Sequence, residues 1–298
     1  MLEIKKYGAI DIGSNAIRLL VSNVIVSDDK EPQFKKSALI RVPIRLGADA
    51  FVGGEISHKN TQRMIDAMNA FKLLMDVHGV ERYKACATSA MREAANGKEV
   101  VQKINSETGI QIDIIGGKEE AEIISSTDLD DLISGHKSYL YVDVGGGSTE
   151  FTIFSDGKVI ASKSFKMGTV RLLNNKKSVN KEIFASVEKW IKKNTKGLKK
   201  VSLIGSGGNI NKLFKMSGRA EGKPISYIYL NAQYQFLKQM SYNERISELS
   251  LNPDRADVII PATKIYLSAM KWSGARKIFV PKIGLSDGII KSLFYNKL

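Results

Sequence analysis

The chain has 298 residues, of which 43% are hydrophobic, so it is long and apolar enough to build two domains of ordinary size. Its one cysteine, Cys86, excludes an internal disulfide and is typical of a protein in the reducing cytoplasm. No run of about 18 apolar residues predicts a membrane span, and the first residues read as the approach to a strand, so we expect no signal peptide.

The net charge is +14, from 45 basic and 31 acidic residues. A surplus of this size favours polyanionic partners such as nucleic acid, anionic lipid or a phosphate-rich substrate. The alternative is a lysine-rich surface that only keeps the protein in solution, and Lys189-Trp190-Ile191-Lys192-Lys193 is equally typical of a solvated helix face. We find no helix-turn-helix pattern, zinc-finger spacing or aromatic-rich RNA-binding signature, so nucleic acid is not the expected partner.

The first half of the chain is predicted to open with an antiparallel meander of three strands, followed by alternating helices and strands. Ser57 has the residue type of a helix N-cap and Gly79 that of a C-cap, so a long helix is expected between them. Ser89 is predicted to cap a further helix, and Gly116-Gly117 to open another. The predicted strands are residues 4–12, 17–26, 34–42, 83–88 and 110–115.

The polar segment 125–137 is the predicted crossover between two domains, 1–124 and 125–298. After it the pattern of the first half repeats, with two strands joined by a turn within residues 139–154 and then a third strand. An apolar helix is predicted from Arg255 to Trp272 in spite of Pro261. The other predicted strands are 158–165, 201–204 and 277–280. The other predicted helices are 180–195, one that follows Gly205–Asn209, one that starts at the capping box of Ser241 and Glu244, and 285–295.

The turn within residues 139–154 is the most informative stretch. A strand ends near Asp143, three glycines follow at 145–147, and Ser148, Thr149 and Glu150 open the next strand. Consecutive glycines leave backbone N–H groups bare of side chains, which suits close approach to a phosphate. Asp143 is placed to hold a divalent cation directly or through water. A glycine-rich hairpin with an aspartate in its turn is the alternative interpretation.

A second copy of this hairpin lies in residues 7–22. Asp11 aligns with Asp143, Gly13 with Gly145, and Ser14-Asn15 with the next turn positions. The copies are 132 positions apart (143 − 11). They predict a duplicated fold whose halves each present a phosphate loop to a shared cleft.

Six blocks, spread in order over nearly the whole chain, resemble the exopolyphosphatase / guanosine pentaphosphate phosphohydrolase (Ppx/GppA) family in its short two-domain form. They are Asp11–Leu19, Thr88–Ala94, Ile115–Ala121, Val142–Glu150, Gly205–Asn209 and Arg255–Ala262. The resemblance implies an α/β, duplicated actin/Hsp70/sugar-kinase-like (ribonuclease H-like) fold with a central interdomain cleft. It also implies a Mg²⁺-dependent, cytoplasmic phosphoanhydride hydrolase and a homodimer, although no pattern in the sequence indicates the dimer independently.

The implied reaction is release of orthophosphate from the end of inorganic polyphosphate, with hydrolysis of pppGpp to ppGpp as the alternative. The resemblance places Glu120 as the base that activates water, although Glu119 and Glu120 would also favour a helix N-terminus through its dipole. Glu150 is the second acidic catalytic residue, and Arg92 the phosphate clamp. The implied metal ligands are Asp143, Glu150 and Asp11.

The phosphate-binding positions lie in the three glycine-containing turns, and Arg18 is expected mainly to brace the first turn. These positions are Asp11, Gly13, Ser14, Asn15, Arg18, Gly145, Gly146, Gly147, Ser148, Thr149, Gly207, Gly208 and Asn209. Two residues depart from the family pattern, because Ala16 replaces a serine and Asn209 a threonine.

The resemblance is to the short form, so we expect this protein to lack the C-terminal helical region with which longer relatives hold long polyphosphate. Two further interpretations stay open. One is an ATP-dependent kinase on the same fold, and the other a non-catalytic protein that binds polyphosphate or nucleic acid.

Overall fold

The structure, a computed structural model, describes residues 2–28, 30–125, 127 and 137–298. The predicted crossover at 125–137 lies outside the described residues apart from Ser125, Thr127 and Lys137. The chain divides into two compact units, Met1–Thr127 with Gly284–Leu298, and Asp128–Ile283. This differs from the predicted division, which placed residues 284–298 in the second domain.

The first unit is a mixed five-stranded sheet with helices. Its strands are β1 (Leu2–Ile12), β2 (Ile17–Ser27), β3 (Lys30–Val42), β4 (Arg82–Ala87) and β5 (Ile112–Ile114). Its helices are α1 (Leu46–Ala48), α2 (His58–His78), α3 (Ser89–Glu93), α4 (Gly97–Thr108), α5 (Gly117–Ser125) and α13 (Leu285–Phe294), with a π-helical turn at Asp49–Gly53. The sheet order is β3-β2-β1-β4-β5.

The second unit repeats this plan with an added short edge strand. Its strands are β6 (Ser138–Val144), β7 (Thr149–Ser155), β8 (Lys158–Phe165), β9 (Ser202–Ser206), β10 (Ile225–Ser226) and β11 (Lys277–Phe279). Its helices are α6 (Thr169–Asn174), α7 (Lys177–Thr195), α8 (Gly208–Met216), α9 (Tyr227–Gln239), α10 (Tyr242–Ser247), α11 (Pro253–Ala256) and α12 (Ile259–Ser273). The sheet order, read from the other edge, is β8-β7-β6-β9-β11-β10.

The two sheets share one topology. In each, three antiparallel strands form a meander, and the first strand of the meander pairs in parallel with the strand that follows it in the sheet. In each, the carboxyl ends of parallel strands therefore lie at the same edge of the sheet. The predicted duplicated α/β fold is confirmed, and this edge is where the loops that follow β1, β4, β6 and β9 begin.

Helix α2 shows how local sequence fixes the elements of the first unit. Ser57 precedes it and its hydroxyl accepts a hydrogen bond from Asn60 N at 3.3 Å. Gly79 ends it with a left-handed backbone, φ 67°. Met64, Met68, Phe71 and Met75 form its buried stripe. This helix was predicted at both ends and on its buried face.

Two predicted helices differ in the structure. The helix expected over Arg255–Trp272 is broken into α11 and α12, because Pro261 lies in the first turn of α12, where a missing N–H costs no helical hydrogen bond. Ser89, predicted as an N-cap, is instead the first residue of α3, and Thr88 takes the cap position without a side-chain hydrogen bond. Helices α6 and α9 were not predicted.

Helix α13 belongs to the first unit because its apolar face finds partners there. It packs on β1, β2, β4 and α5. The ring of Phe294 lies 5.6 Å from that of Phe34 and 6.4 Å from that of Tyr7, measured between centroids. At the other end, Asp287 forms an ion pair with Lys36 at 2.7 Å. Sequence order alone could not assign this helix, because both units offer an apolar sheet.

Candidate active site

In the first unit, Asp11 lies directly opposite Arg18 across the β1–β2 pair. Arg18 Nη1 donates to Asp11 Oδ2 at 2.9 Å. Burial raises the pKa of the Asp11 carboxyl above its ordinary value, and the adjacent Arg18 guanidinium acts in the opposite direction. Arg18 thus braces the first turn, as the sequence predicted, and balances the charge of the carboxylate.

The first turn is held from outside by two other segments. Gly13 N donates to Ala16 O at 3.2 Å and closes the turn itself. The hydroxyls of Ser14 and Ser89 are 2.9 Å apart, and either of them can donate. Gly47 N donates to Ser14 O at 2.7 Å, and Arg45 N to Asn15 O at 3.0 Å. Ser14 and Asn15 therefore sit in a turn whose shape is fixed by α3 and by the loop after β3.

Arg92 and Glu120 approach the same pair of glycines from two different helices. Arg92 Nη1 donates to Ile115 O at 2.6 Å, directly before Gly116-Gly117. Glu120 lies in the first turn of α5, where its N–H donates to Gly116 O at 2.9 Å. Its Oε2 atom is screened from solvent. The clamp and the base that were predicted from distant parts of the sequence are thus both anchored to the β5–α5 junction.

In the second unit, Asp143 lies directly opposite Glu150 across the β6–β7 pair. Directly opposed residues point to the same face of a sheet, so the two carboxylates are neighbours. Glu150 is buried, and its Oε1 accepts hydrogen bonds from Ser148 Oγ at 2.7 Å and from Ser164 Oγ at 2.8 Å. These two hydroxyl donors fix the position of the Glu150 carboxyl group. The result is a pair of acidic side chains with a fixed orientation.

The glycine turn 145–147 is held through its carbonyl groups. Thr169 N donates to Gly145 O at 3.0 Å, and Val170 N to Gly146 O at 2.9 Å, both from the first turn of α6. Arg171 Nε donates to Gly147 O at 2.9 Å. In a planar trans peptide the N–H points away from the preceding C=O. The N–H groups of Gly146, Gly147 and Ser148 are therefore directed away from α6, where they can donate to an anion.

The contact between α6 and this turn also requires a glycine at residue 168, directly before α6. A Cβ atom on Gly168 would lie 2.2 Å from the carbonyl carbon and oxygen of Gly146. No side chain fits at that distance, so residue 168 has to be glycine for the two backbone segments to meet.

The third turn, Gly207-Gly208, packs beside Asp143. Gly207 has φ 114°, and a Cβ atom there would lie 2.9 Å from Val144 O and 3.5 Å from Asp143 Oδ1. Tyr266, from α12, donates its hydroxyl hydrogen to Ser206 O. Burial raises the pKa of Tyr266 well above its ordinary value, and the negative charge of Asp143 acts in the same direction. Tyr266 therefore stays neutral and fixes the backbone that borders Asp143.

Asn209, next in the third turn, is buried at the start of α8. Its Oδ1 atom has no hydrogen-bond partner within the described part of the chain. A buried amide oxygen without a partner is a ready acceptor for a donor on a ligand. Residue 209 thus offers the third turn the chemistry of a buried amide.

Sequence reasoning missed five residues that shape the two sites: Ser89, Ser164, Gly168, Arg171 and Tyr266. Gly168 carries a local signal, because a glycine in the short loop after the predicted strand 158–165 is typical of a turn or a tight backbone contact. Ser164 could have been found from the register of the second meander. Tyr266 carries no signal, because it lies within an apolar helix.

A divalent cation is best accommodated at Asp143 and Glu150. Among the described residues no group of three or more histidine, cysteine, aspartate or glutamate side chains is close enough to hold a metal. Mg²⁺ keeps several waters and is commonly held by one or two carboxylates, so the acidic pair fits it. Asp11 is balanced by Arg18, which makes it a poorer ligand than the other two.

No helix within the described ranges is long and apolar enough to cross a membrane.

The two sheets of shared topology, with glycine turns at the carboxyl ends of their strands, define a duplicated α/β protein. A sequence model of the Ppx/GppA phosphatase family matches residues 25–297. The chain therefore belongs to the Ppx/GppA phosphatase family. In agreement, the solved structure of an exopolyphosphatase from Cytophaga hutchinsonii has a TM-score of 0.86, with 23% identity and 98% of each chain covered. That likeness establishes the two-domain α/β fold.

Three curated relatives carry different names. A bifunctional 3-dehydroquinate synthase/phosphatase of Fusobacterium nucleatum is 30% identical over 91% of this chain and 44% of its own length. Exopolyphosphatase 2 of Mycobacterium tuberculosis is 25% identical, with 98% of this chain and 99% of its own covered. A guanosine-5'-triphosphate,3'-diphosphate pyrophosphatase of Aliivibrio fischeri is 32% identical over 56% of this chain and 32% of its own. The chain thus spans less than half the length of the first and third.

Proposed function

We propose that this protein hydrolyses the terminal phosphoanhydride bond of inorganic polyphosphate and releases orthophosphate. The observation that carries the proposal is the second glycine turn, where three backbone N–H groups face away from α6 beside the Asp143–Glu150 pair. An anion cradle next to a cation site is what a phosphoanhydride with its counter-ion requires. The M. tuberculosis exopolyphosphatase, which matches over almost its whole length, supports polyphosphate as the substrate.

Glu120 is the proposed general base. In the reaction a water oxygen bonds to the terminal phosphorus, the bridging P–O bond breaks, and Glu120 takes a proton from the water. The shortened chain leaves with the bridging oxygen. The position of Glu120 supports this role, because its backbone is fixed at Gly116 and one carboxylate oxygen is screened from solvent.

Arg92 is the proposed phosphate clamp. One of its donors is used on Ile115 O, which fixes the guanidinium at the base of the loop that leads to Glu120. A guanidinium has five N–H donors, so the remaining ones can bind phosphate oxygens. Arg18, Ser14 and Asn15 shape the first turn as a further part of the phosphate-binding surface. Gly207, Gly208 and Asn209 contribute in the same way from the third turn.

Mg²⁺ is the proposed cofactor, held by Asp143 and Glu150 with water completing its coordination. When bound, it would neutralise charge on the phosphate oxygens and so favour the attack of water. Ser148 and Ser164 orient Glu150 for this role through their hydrogen bonds. A cytoplasmic location and a homodimer are further proposals, the first supported by the free, buried Cys86. Sedimentation velocity tests the dimer.

Hydrolysis of pppGpp is the second candidate, since its terminal phosphoanhydride presents the same chemistry and the A. fischeri relative acts, by its name, on such a nucleotide. The buried amide of Asn209 favours pppGpp, because its Oδ1 atom can accept a hydrogen bond from the N–H and hydroxyl donors of a nucleotide. Comparing kcat/KM for polyphosphate and pppGpp separates the two. A kinase would require ATP turnover with an acceptor, and a non-catalytic protein would bind polyphosphate without releasing phosphate.

Glu120→Gln tests the proposed base, and Glu119→Gln is its matched control. Both residues lie in the first turn of α5 and lose the same charge, but Glu119 is exposed. We expect phosphate release from polyphosphate with Mg²⁺ to fall by about 10²–10⁴-fold in Glu120→Gln and to stay near the wild-type rate in Glu119→Gln. Equal rates in wild type and Glu120→Gln would refute the role of Glu120. No release by the wild type from either polyphosphate or pppGpp would refute the function.

A further inference from the structure

Half of the protein's charge surplus comes from one short stretch. Residues 176–200 contain nine lysines and two glutamates, a net +7 (9 − 2) out of +14 for the chain. The stretch covers α7 and the loop after it. All nine lysines are exposed. The charge is therefore concentrated on one element of the second unit.

The lysines of α7 share one side of the helix. On a helix of 3.6 residues per turn, those at 177, 181, 189, 192 and 193 fall within about 160° of its circumference. The buried Val187 and Ile191 lie on the opposite side. Lys196 extends the row at the C-cap. We call these six residues, Lys177, Lys181, Lys189, Lys192, Lys193 and Lys196, the lysine face.

The neighbouring strand continues the same charge. Helix α7 packs on β8, the edge strand of the sheet. Lys158 and Lys163 of that strand are exposed. From Lys177 to Lys193 the lysine face is about 24 Å long, at 1.5 Å per residue. A surface of this length matches an extended polyanion better than a single phosphate group.

The composition of the face indicates what kind of polyanion it suits. Residues 176–200 contain no arginine, so the bidentate contacts by which proteins read bases are missing from it. Its two aromatic residues, Phe184 and Trp190, both pack against the core of the second unit. The ring of Trp190 lies 5.9 Å from that of Phe165, and the ring of Phe184 6.0 Å from that of Trp272, measured between centroids. A base therefore finds no stacking platform there. Lysines alone act as point charges, which suits a polymer made only of phosphates.

We propose that the lysine face binds the part of a long polyphosphate chain that lies beyond the bond being hydrolysed. This inference rests on the proposed function, because it assigns a second contact to the same substrate. It predicts that long chains bind more tightly than short ones. It also predicts that this preference weakens with salt, since each contact releases counterions.

The test compares two variants with the same total charge, +10 (14 − 4). The first is Lys181→Gln, Lys189→Gln, Lys193→Gln and Lys196→Gln, which removes most of the lysine face but keeps the Lys192–Glu188 pair at 2.5 Å. The control is Lys59→Gln, Lys98→Gln, Lys103→Gln and Lys271→Gln, four exposed helix lysines elsewhere. Exposed substitutions of this kind leave folding nearly unchanged, which thermal unfolding checks.

We expect the first variant to bind long-chain polyphosphate about tenfold more weakly than wild type, with a shallower dependence on salt. Its turnover of tripolyphosphate should stay within twofold of wild type, and the control should match wild type on both ligands. Binding is measured by fluorescence anisotropy with labelled polyphosphate, and turnover by phosphate release.

Three outcomes overturn the inference. The first is an equal loss of affinity in the two variants, which would make net charge the cause. The second is a first variant that binds long-chain polyphosphate as tightly as wild type does. The third is a wild type that binds single-stranded RNA or duplex DNA as tightly as polyphosphate of equal charge, with this binding weakened only in the first variant, which would make the face a nucleic-acid surface. A wild type that binds long chains through the lysine face but releases no phosphate would refute the proposed function, while the assignment of the lysine face as a polyphosphate-binding surface would stand.

Discussion

Gly168→Ala should distort the proposed phosphate cradle, although residue 168 is not itself a proposed substrate contact. A Cβ atom at residue 168 would lie 2.2 Å from Gly146 C and O and 2.3 Å from Gly147 C, whereas real Cβ contacts are essentially never under 3.0 Å. The backbones must therefore separate by at least 0.8 Å (3.0 − 2.2). All three close atoms are main-chain atoms, so no side chain can rotate away to relieve the clash.

The displacement falls on the hydrogen bonds that orient the turn. Thr169 N and Val170 N are 3.0 and 2.9 Å from the carbonyls of Gly145 and Gly146, and a further 0.8 Å would break both. The N–H groups on the other side of the same peptides would lose their direction. Overpacking of this kind costs about 1–3 kcal/mol of stability. A misplacement of about 1 Å in a catalytic site costs roughly 10²-fold in rate.

The assay is kcat/KM for phosphate release from polyphosphate, with the free energy of unfolding from urea titration. The control is Gly53→Ala, because a Cβ atom on Gly53 meets nothing within 4 Å. We expect Gly168→Ala to lose about a hundredfold in kcat/KM while remaining folded, and Gly53→Ala to lose neither. A Gly168→Ala protein with activity within twofold of wild type would refute the assignment of the cradle to this turn.

Two further predictions concern groups beside the turns. Tyr266→Phe removes the hydroxyl that donates to Ser206 O, so we expect a loss of about 1–2 kcal/mol in urea unfolding and a severalfold higher Mg²⁺ concentration for half-maximal activity. The control is Tyr139→Phe, since Tyr139 is buried and lies on the same face of β6 as Asp143. It should leave the Mg²⁺ requirement unchanged, and equal shifts of the Mg²⁺ requirement in the two variants would contradict a specific role for Tyr266. Burial raises the folded-state pKa of Asp11 above its ordinary value of 3.8. The contribution of Asp11 to the free energy of unfolding is therefore present below pH 3.8 and is lost as pH rises through the folded-state pKa. The stability of wild type relative to Asp11→Asn should therefore fall with rising pH from about pH 4, and a flat or rising difference would show that Arg18, not burial, controls this carboxyl.

The elements whose ends are set by local chemistry could be predicted from the sequence. Ser57 and Gly79 bound α2 because an N-cap hydroxyl and a left-handed glycine act within one turn of the chain. The Ser241–Glu244 capping box is present for the same reason. Ser89 was assigned to the wrong position because its hydroxyl takes a distant partner, Ser14, in place of the local backbone.

The supporting residues of the site could not be predicted in this way. Gly168 matters through contact with Gly146, which lies 22 positions earlier (168 − 146), and Tyr266 through Ser206, 60 positions earlier. Helix α13 joins the first unit although it follows the second in the chain. Each is a tertiary contact, and a single sequence shows only the residue type of one partner.

The two hairpins show how a duplicated element acquires two different roles. Asp11 and Asp143 occupy equivalent positions, and so do their cross-strand partners, Arg18 and Glu150, which are also 132 positions apart (150 − 18). In the first hairpin the partner is a cation, so the aspartate is neutralised and the local charge suits an anion. In the second the partner is an anion, so two carboxylates share one face and the local charge suits a divalent cation. One exchange of charge at a single register position thus gives the two hairpins different local charge. On the proposed function, it predicts that the second hairpin, with two negative side chains, holds the metal and that the first does not.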